Sequence, residues 1–209
     1  MRALLSLSGS LPPPAELVQL YYDTVIAADG SAWQLLERGI VPHLIVGDLD
    51  SLQRLPNPEL AFPQSEIIHI PDQDSTDFEK ALRVGLTRGI TEFVIVGLHG
   101  GELDHTLNNW SVFLRYSQQA VLEIYEHGRS GRAVFSSLVL PAEPGEMISL
   151  IPQPRARLTT RGLVWELNDE VLELGRREGA RNQARQQLVE IELHEGSLLV
   201  FSDAATRSL

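Results

Sequence analysis

The chain has 209 residues, of which 43% are hydrophobic and 22% are charged. This length fits one large or two small domains, and the composition is that of a folded protein, which excludes a mostly disordered chain. No apolar run reaches the ~18–20 residues that a membrane-spanning helix needs, so a membrane protein is excluded as well. Cysteine is absent, so disulfides and thiolate metal sites are impossible, and oxygen or imidazole groups must hold any metal.

The net charge of −11 results from 17 basic and 28 acidic residues. Because phosphate contacts dominate the affinity for duplex nucleic acid, this charge argues against nucleic acid as a partner. Phosphorylated ligands remain compatible, since a bound divalent cation can reverse the local field. The N-terminal residues are typical of a strand and a turn rather than a secretory signal, and we expect a cytoplasmic protein.

The N-terminal part of the chain alternates short apolar runs with helical patterns. Strands that alternate with helices require crossover connections, which predicts an α/β domain with a mostly parallel sheet. The predicted strands are Ala3–Leu7, Thr24–Ala28, His43–Val46, Glu66–Ile70, Glu92–Leu98 and Val121–Tyr125, and the predicted helices are 31–38, 76–88 and 103–117.

The pattern changes after about His127, where no helix is predicted. Residues Val189, Ile191 and Leu193 alternate with polar residues, as in a half-buried antiparallel strand. We therefore predict two domains, residues 1–127 and residues 128–209, of which the second is all-β. Its predicted strands are Arg132–Ser136, Met147–Ile151, Leu163–Leu167, Val171–Leu174, Leu188–Leu193 and Ser197–Ser202.

Acidic residues follow two of the predicted strands. Asp29 follows the second strand and, taken alone, favours a helix N-cap. Asp48 and Asp50 follow the third, and alternate residues of an extended chain share a face, so both carboxylates can point to one spot. Two carboxylates at a strand end suit Mg²⁺, although an Asx-turn is an alternative. In open α/β sheets ligands bind beyond the carboxyl ends of strands, which favours a magnesium site.

A third acidic segment contains Asp72, Asp74 and Asp77 ahead of Lys80, the only lysine of the chain. Ser75 or Thr76 can cap the helix that begins here, but capping does not require three aspartates. Asp77 and Lys80 are three residues apart and therefore neighbours on one helix face. A carboxylate for a metal beside an ammonium for a phosphate is a pair suited to phosphoryl transfer.

A glycine pair, Gly100–Gly101, separates the fifth strand from the next helix. Backbone N–H groups of such a loop can approach a phosphate at a helix N-terminus. Asp104 and His105 follow, and either can act as a structural residue at the helix start; we do not assign His105 to a metal. The chain contains neither a GxxxxGK[ST] nor a GxSxG motif, so a covalent serine mechanism has no support.

Four segments together resemble thiamine pyrophosphokinases: ADGS…LLERGIVPHLIVGDLDS, PDQDSTDFEKAL, GGELDHTLNN and, in the predicted β domain, TRGLVWEL. Their order and spacing match along nearly the whole chain. The resemblance implies an N-terminal α/β domain with a mostly parallel sheet, a C-terminal all-β sandwich domain and a homodimer with thiamine in a cleft between subunits. It also implies Mg²⁺-dependent transfer of the terminal diphosphate of ATP to the thiamine hydroxyl, with release of AMP.

The resemblance also implies roles for individual residues. They fall into four groups: ligands for Mg²⁺, contacts to ATP, contacts to thiamine, and catalytic residues of the cleft. The metal ligands are Asp48, Asp50 and Asp77; the ATP contacts are Gln73, Thr76, Lys80, Gly100 and Gly101; the thiamine contacts are Trp165 and Asn182; and the catalytic residues are Asp29, Asp50, Asp77 and Asp104.

Two departures from the family pattern bear on the substrate. Glu102 stands where the family usually has arginine, and Arg181 precedes Asn182 where the family has serine. One hypothesis is that Arg181 of the partner subunit restores the positive charge missing at Glu102. The alternatives left open are the same reaction on another hydroxymethyl heterocycle, such as a pterin, and a non-catalytic protein that binds nucleotide or thiamine.

Overall fold

The computed structural model describes residues 1–52 and 58–203. These residues form two compact units, one from Met1 to His127 and one that begins at Gly128. Among the described residues, no helix is both long and apolar enough to cross a membrane.

The first unit contains a parallel sheet of six strands in the order β6-β5-β1-β2-β3-β4. The predicted α/β class with a mostly parallel sheet is confirmed. The short apolar runs supply the buried strands, and the amphipathic segments supply the helices between them. The strands are β1 Arg2–Ser6, β2 Thr24–Ala28, β3 Leu44–Gly47, β4 Glu66–His69, β5 Glu92–Val96 and β6 Val121–Glu126, and the helices are α1 Pro14–Leu17, α2 Ser31–Glu37, α3 Pro58–Ala61, α4 Asp77–Thr87 and α5 Leu103–Tyr116.

The strand order changes direction at β1. From β1 the chain moves outward through β2 and β3 to β4, and α4 then returns it to β5 on the other side of β1. The loops after β1 and β5 therefore leave the sheet in opposite directions, which opens a crevice at its carboxyl edge. α4 packs on β2 and β3 through an apolar face that includes the buried Phe78, Ala81 and Leu82.

The second unit is built from antiparallel strands around one apolar core, as predicted for an all-β part of the chain. β9 and β12 form its longest pairing. The core includes Ile148, Leu150, Leu158, Val189 and Leu198, all 0% exposed. Its strands are β7 Arg129–Val134, β8 Leu138–Pro141, β9 Met147–Arg161, β10 Glu170–Glu173, β11 Gly179–Gln183 and β12 Leu188–Ser202.

The strand predicted at Leu163–Leu167 is wrong. Gly162 has a φ of +83°, and its N–H donates to a Glu166 carboxylate oxygen at 3.0 Å, which closes a loop. The Leu167 N–H donates to the Thr160 hydroxyl at 2.9 Å, and the Leu167 carbonyl accepts a hydrogen bond from the Thr160 N–H at 2.9 Å. The apolar residues of this segment are a loop that packs on the core rather than a strand of the sheet.

Candidate active site

Three aspartates form a compact group of carboxylates at the carboxyl edge of the parallel sheet. Asp29 follows β2, Asp48 follows β3, and Asp77 is the first residue of α4. One carboxylate oxygen of each lies within 4.8 Å of the other two. Three negative charges this close repel one another, so the group is suited to a divalent cation that prefers oxygen ligands.

Gly47 permits the close approach of these carboxylates. A β-carbon at this position would lie 2.8 Å from the β-carbon of Asp29 and 3.1 Å from the carboxylate carbon of Asp77. A glycine at the end of a strand is typical of a site where other groups come near the backbone. Any larger residue at position 47 would push the carboxylates apart.

Asp29 holds the loop that carries Asp48, and only 4% of the residue is exposed. Its carboxylate accepts hydrogen bonds from the backbone N–H groups of Ser51 at 3.0 Å and Leu52 at 3.1 Å. The helix-cap interpretation of Asp29 is therefore wrong: the N-cap residue of α2 is Gly30, without a side-chain cap bond. Asp29 instead ties the end of β2 to the loop after β3.

Lys80 is the only lysine of the chain, and its residue is 1% exposed. Its ammonium lies 3.1 Å from Asp77 Oδ1, as the spacing of three residues predicts. Burial raises the pKa of Asp77 above its ordinary value; Lys80 opposes this rise, and the charges of Asp48 and Asp29 add to it. The charged form of Asp77 is thus disfavoured chiefly by burial, and a bound cation would stabilise it.

Asp48 accepts two hydrogen bonds. The Gln73 side chain donates to its Oδ2 at 3.2 Å, and the Asp50 backbone N–H donates to its Oδ1 at 3.3 Å. Burial raises the pKa of Asp48, but these bonds and the charges of Lys80 and His69 together lower it below its ordinary value. Asp48 is therefore more readily kept in its charged form than Asp77.

A cavity of about 480 Å³ opens beside these carboxylates, with walls from the loop after β1 and from the starts of α4 and α5. It combines acidic oxygens with one buried ammonium, a combination suited to a polyphosphate bound together with a divalent cation. The predicted site residues that line it are Asp48, Gln73, Thr76, Asp77, Lys80 and Asp104.

Family profiles match both parts of the chain. Residues 18–125 match the profile described as thiamin pyrophosphokinase, catalytic domain. Residues 137–198 match the thiamin pyrophosphokinase, vitamin B1 binding domain. The chain belongs to the thiamin pyrophosphokinase family. The resemblance seen in the sequence is thereby confirmed, and membership makes the chain a transferase of the diphosphokinase type.

Relatives and solved structures of the same family cover most of the chain. Thiamin pyrophosphokinase 1 of Caenorhabditis elegans is 28% identical over 200 residues, which are 85% of this chain and 77% of that protein. A thiamin pyrophosphokinase family protein from Enterococcus faecalis is 26% identical with a TM-score of 0.79, covering 97% of this chain and 98% of that one. Thiamine pyrophosphokinase from Bacillus subtilis, at 22% identity, shares the fold with a TM-score of 0.83 and covers 98% and 99% of the two chains.

Asp50 is exposed and does not belong to the three-carboxylate group. The sequence assigned Asp48, Asp50 and Asp77 to the metal, whereas the structure brings Asp29 together with Asp48 and Asp77. The sequence did not place Asp29 in this carboxylate group because its own segment is typical of a helix start. Only the parallel pairing of β2 with β3 places it beside Asp48.

Thr76 is the N-cap residue of α4, and its hydroxyl accepts a hydrogen bond from the Glu79 backbone N–H at 3.2 Å. The Glu79 carboxylate in turn accepts hydrogen bonds from Arg115 at 2.8 Å and from the Tyr116 hydroxyl at 3.1 Å, which tie α4 to α5. Thr76 also lines the cavity, so a structural role and the predicted ATP contact are compatible.

The glycine loop between β5 and α5 packs against the loop that follows β1. The Ser10 backbone N–H donates to the His99 carbonyl at 2.6 Å. Gly100 has a φ of +103°, and a β-carbon there would lie 2.6 Å from the Ser10 nitrogen, so only glycine fits. Gly101 faces open space, and neither glycine lines the cavity, so their contact with ATP stays a prediction.

The first turn of α5 carries exposed polar side chains. Glu102 is its N-cap residue, makes no side-chain cap bond and has a side chain that is 81% exposed. It is not among the residues that line the cavity, whereas Asp104 and His105 are. The departure from the family pattern at position 102 therefore does not place an anion on the cavity wall.

In the second unit, Asn182 clamps the backbone of Trp165. The Asn182 side chain accepts from the Trp165 N–H at 3.2 Å and donates to the Trp165 carbonyl at 2.8 Å. Asn182 is 7% exposed, whereas Trp165 is 62% exposed. Arg181 has a φ of +59°, and its N–H donates to the Ser149 hydroxyl at 3.0 Å. Asn182 thus presents the Trp165 indole to its surroundings, and thiamine contact by either residue stays a prediction.

Several residues that line the cavity were not predicted as site residues, among them Ser8, Asn108 and Asn109. Ser8 lies in the run of small residues after β1, which is the signal that could have identified it, because ligands bind where strand order reverses. Asn109 donates to the Leu98 carbonyl at 3.0 Å and fixes α5 to the glycine loop. The asparagines carry no local chemical signal of their own, since polar residues are common in helices, although both belong to the segment GGELDHTLNN on which the family resemblance rests.

Proposed function

We propose that the chain transfers the terminal diphosphate of ATP to the hydroxyl of thiamine, giving thiamine diphosphate and AMP. The observation that supports this most is the group of Asp29, Asp48 and Asp77 beside Lys80, at the strand ends of a chain that belongs to this family. Carboxylates and one buried ammonium at the wall of one cavity are what a metal-bound triphosphate needs.

Mg²⁺ would be held by Asp48 and Asp77, with Asp29 within reach of the same position; Asp50, the third ligand predicted from the sequence, is exposed and lies outside this carboxylate group. The fit rests on the donor set, which is all oxygen, and on the pKa of Asp77, which burial raises and the neighbouring carboxylates raise further. When bound, the ion neutralises phosphate charge and polarises the phosphorus that is attacked. Asp29 contributes chiefly by fixing the loop of Asp48, since both its oxygens already accept backbone N–H groups.

ATP would contact Gln73, Thr76, Lys80 and the Gly100–Gly101 loop. Lys80 is the cation placed to stabilise charge on the transferred diphosphate, because its ammonium is buried at the cavity wall beside Asp77. Gln73 orients Asp48 through its amide N–H and can turn to the phosphates. Most of the rate enhancement would come from positioning and charge neutralisation.

The thiamine hydroxyl oxygen attacks the β-phosphorus in line, the bond from that phosphorus to the α-phosphate oxygen breaks, and AMP leaves with the electron pair. Asp50 or Asp77 accepts the hydroxyl proton, and Asp29 and Asp104 belong to the same catalytic cleft. Thiamine would be bound by Trp165 and Asn182 in a homodimer. The protein would act in the cytoplasm, without nucleic acid or membrane as partner.

The deciding experiment measures AMP formed from ATP and Mg²⁺, with and without thiamine. We expect thiamine-dependent AMP from the wild type and a loss of about 10²-fold or more in Asp48→Asn, because the metal loses a ligand. The matched control is Asp23→Asn, which removes a charge before β2, at the opposite edge of the sheet, and should leave the rate unchanged. Absence of AMP with thiamine, but AMP with a hydroxymethyl pterin, would contradict the proposed acceptor.

A further inference from the structure

His99 lies in the glycine loop between β5 and α5 and contacts a residue of the neighbouring strand. Its Nδ1 atom lies against Oε1 of Glu126, the last residue of β6. The two contacting atoms are buried, although the side chains are 45% and 30% exposed, and neither atom has a hydrogen bond to any other residue among 1–52 and 58–203. Burial raises the pKa of Glu126, and His99 and His127 oppose that rise. The contact joins two partly exposed side chains and holds the His99 imidazole against the end of β6.

The backbone of His99 is fixed from the opposite side as well. Its carbonyl accepts the Ser10 N–H at 2.6 Å, in the loop that follows β1. The two loops touch so closely that a β-carbon on Gly9 would lie 2.0 Å from the His99 carbonyl oxygen. His99 is therefore tied to the loop after β1 by its backbone and to β6 by its side chain.

The loop that His99 holds leads directly into the cavity wall. Asp104 and Asn108, in the first turns of α5, line the cavity. Asn109 donates to the carbonyl of Leu98, the residue before His99. A change in the position of His99 is thus transmitted to the start of α5 and to the face of the cavity opposite α4.

We infer that His99 and Glu126 form a positioning pair that fixes the glycine loop and the first turn of α5 for catalysis. The inference rests on the proposed function for its catalytic part, and on the geometry alone for its positioning part. Neither side chain contacts the carboxylate group, so the pair acts on catalysis through the loop.

The test compares His99→Ala, Glu126→Ala and Glu126→Gln with the wild type by amide hydrogen exchange and by steady-state kinetics. Glu126→Gln retains an acceptor for the His99 N–H and serves as the conservative variant. Arg88→Ala is the matched control. It breaks an exposed ion pair in which the Arg88 guanidinium donates to both carboxylate oxygens of Glu66, at 2.7 Å and 2.6 Å, at the other end of the sheet.

In both alanine variants we expect exchange across residues 97–105 to be about tenfold faster, and kcat to fall about tenfold to a hundredfold. KM for thiamine should change little. In the double variant His99→Ala/Glu126→Ala the two effects should not add, because both substitutions break the same contact. Glu126→Gln should keep the exchange rate and kcat close to those of the wild type. Arg88→Ala should alter neither readout.

Unchanged exchange at residues 97–105 would overturn the inference. Faster exchange with unchanged kcat would overturn the catalytic part of the role. If the wild type itself forms no AMP with thiamine, the proposed function fails. The exchange measurement then still decides whether the pair positions the loop.

Discussion

Gly47 controls how closely the site carboxylates can approach, because its missing β-carbon leaves room for Asp29 and Asp77. We expect Gly47→Ala to separate the three carboxylates and to lower kcat/KM by about tenfold or more, since a displacement of about 1 Å at a reacting centre can cost about 10²-fold in rate. The same variant should lose most of the Mg²⁺-induced rise in melting temperature, measured by calorimetry.

The control for that substitution is Gly101→Ala, where a β-carbon would meet nothing within 4 Å. It should keep the full metal-induced rise in melting temperature. An undiminished metal response in Gly47→Ala would show that the carboxylate group tolerates the extra carbon.

Asn182 provides a second test at a single residue. Its amide makes two hydrogen bonds to the Trp165 backbone, and Asn182→Ala removes both. We expect KM for thiamine to rise about tenfold, because the indole loses its fixed orientation, while KM for ATP stays within about twofold. Asn168→Ala, an exposed asparagine of the same unit, is the matched control. An equal rise in both KM values would contradict a role specific to thiamine.

The residues of the site were predictable to different degrees. Asp48, Asp77 and Lys80 follow from local patterns: a carboxylate after an apolar strand, and a spacing of three on a helix. The place of Asp29 depends on which strands pair, and its two bonds reach Ser51 and Leu52, more than 20 residues away. Such contacts have no local signature, so sequence reasoning favoured the commoner helix cap.

At the scale of elements, Thr76 at the start of α4 both caps the helix and lines the cavity. Thr76→Ala removes the cap bond to the Glu79 N–H and should cost about 1 kcal/mol of unfolding free energy in urea denaturation. Thr76→Ser keeps the hydroxyl and should recover most of that stability. If the hydroxyl also contacts ATP, KM for ATP should rise in Thr76→Ala and recover in Thr76→Ser. Recovered stability with an unrecovered KM would instead assign the ATP effect to the methyl group.

The last strand of the second unit, β12, shows where sequence patterns are ambiguous. Ser197–Ser202 and Leu188–Leu193 were predicted as two strands, but β12 is continuous, with register shifts against β9 on either side of Gly196. Gly196 has a φ of +82°, and a β-carbon there would lie 2.0 Å from the Arg155 carbonyl oxygen. A glycine required by a bulge and a glycine required by a turn have the same sequence signature. The first unit contains no such case within its sheet, and its six strands were all predicted to within two residues.

At the scale of the whole molecule, negative charge is concentrated in the first unit. Residues 1–127 carry 17 acidic and 7 basic side chains, a net charge of −10, out of −11 for the chain. An anionic nucleotide approaches this unit against its field unless a divalent cation accompanies it. For the proposed reaction, this charge distribution would favour entry of the nucleotide as its metal complex.

Asp77 links this charge to stability. Its folded-state pKa is raised, so the metal-free protein loses stability as the pH rises from the ordinary aspartate pKa through the folded-state pKa, above which the buried carboxylate is charged. Metal binding requires the charged form, so the Mg²⁺-induced rise in melting temperature should grow as the pH rises through the raised pKa of Asp77. Asp77→Asn should raise the metal-free melting temperature near neutral pH and abolish both the metal response and its pH dependence.

The control is Asp23→Asn, which removes one charge outside the carboxylate group and should leave the metal response and its pH dependence intact. A lower metal-free melting temperature in Asp77→Asn would mean that the bond to Lys80 outweighs the burial and the like charges around Asp77. The expected gain in stability combined with a loss of activity would instead show that this fold keeps a destabilising carboxylate because the reaction requires it.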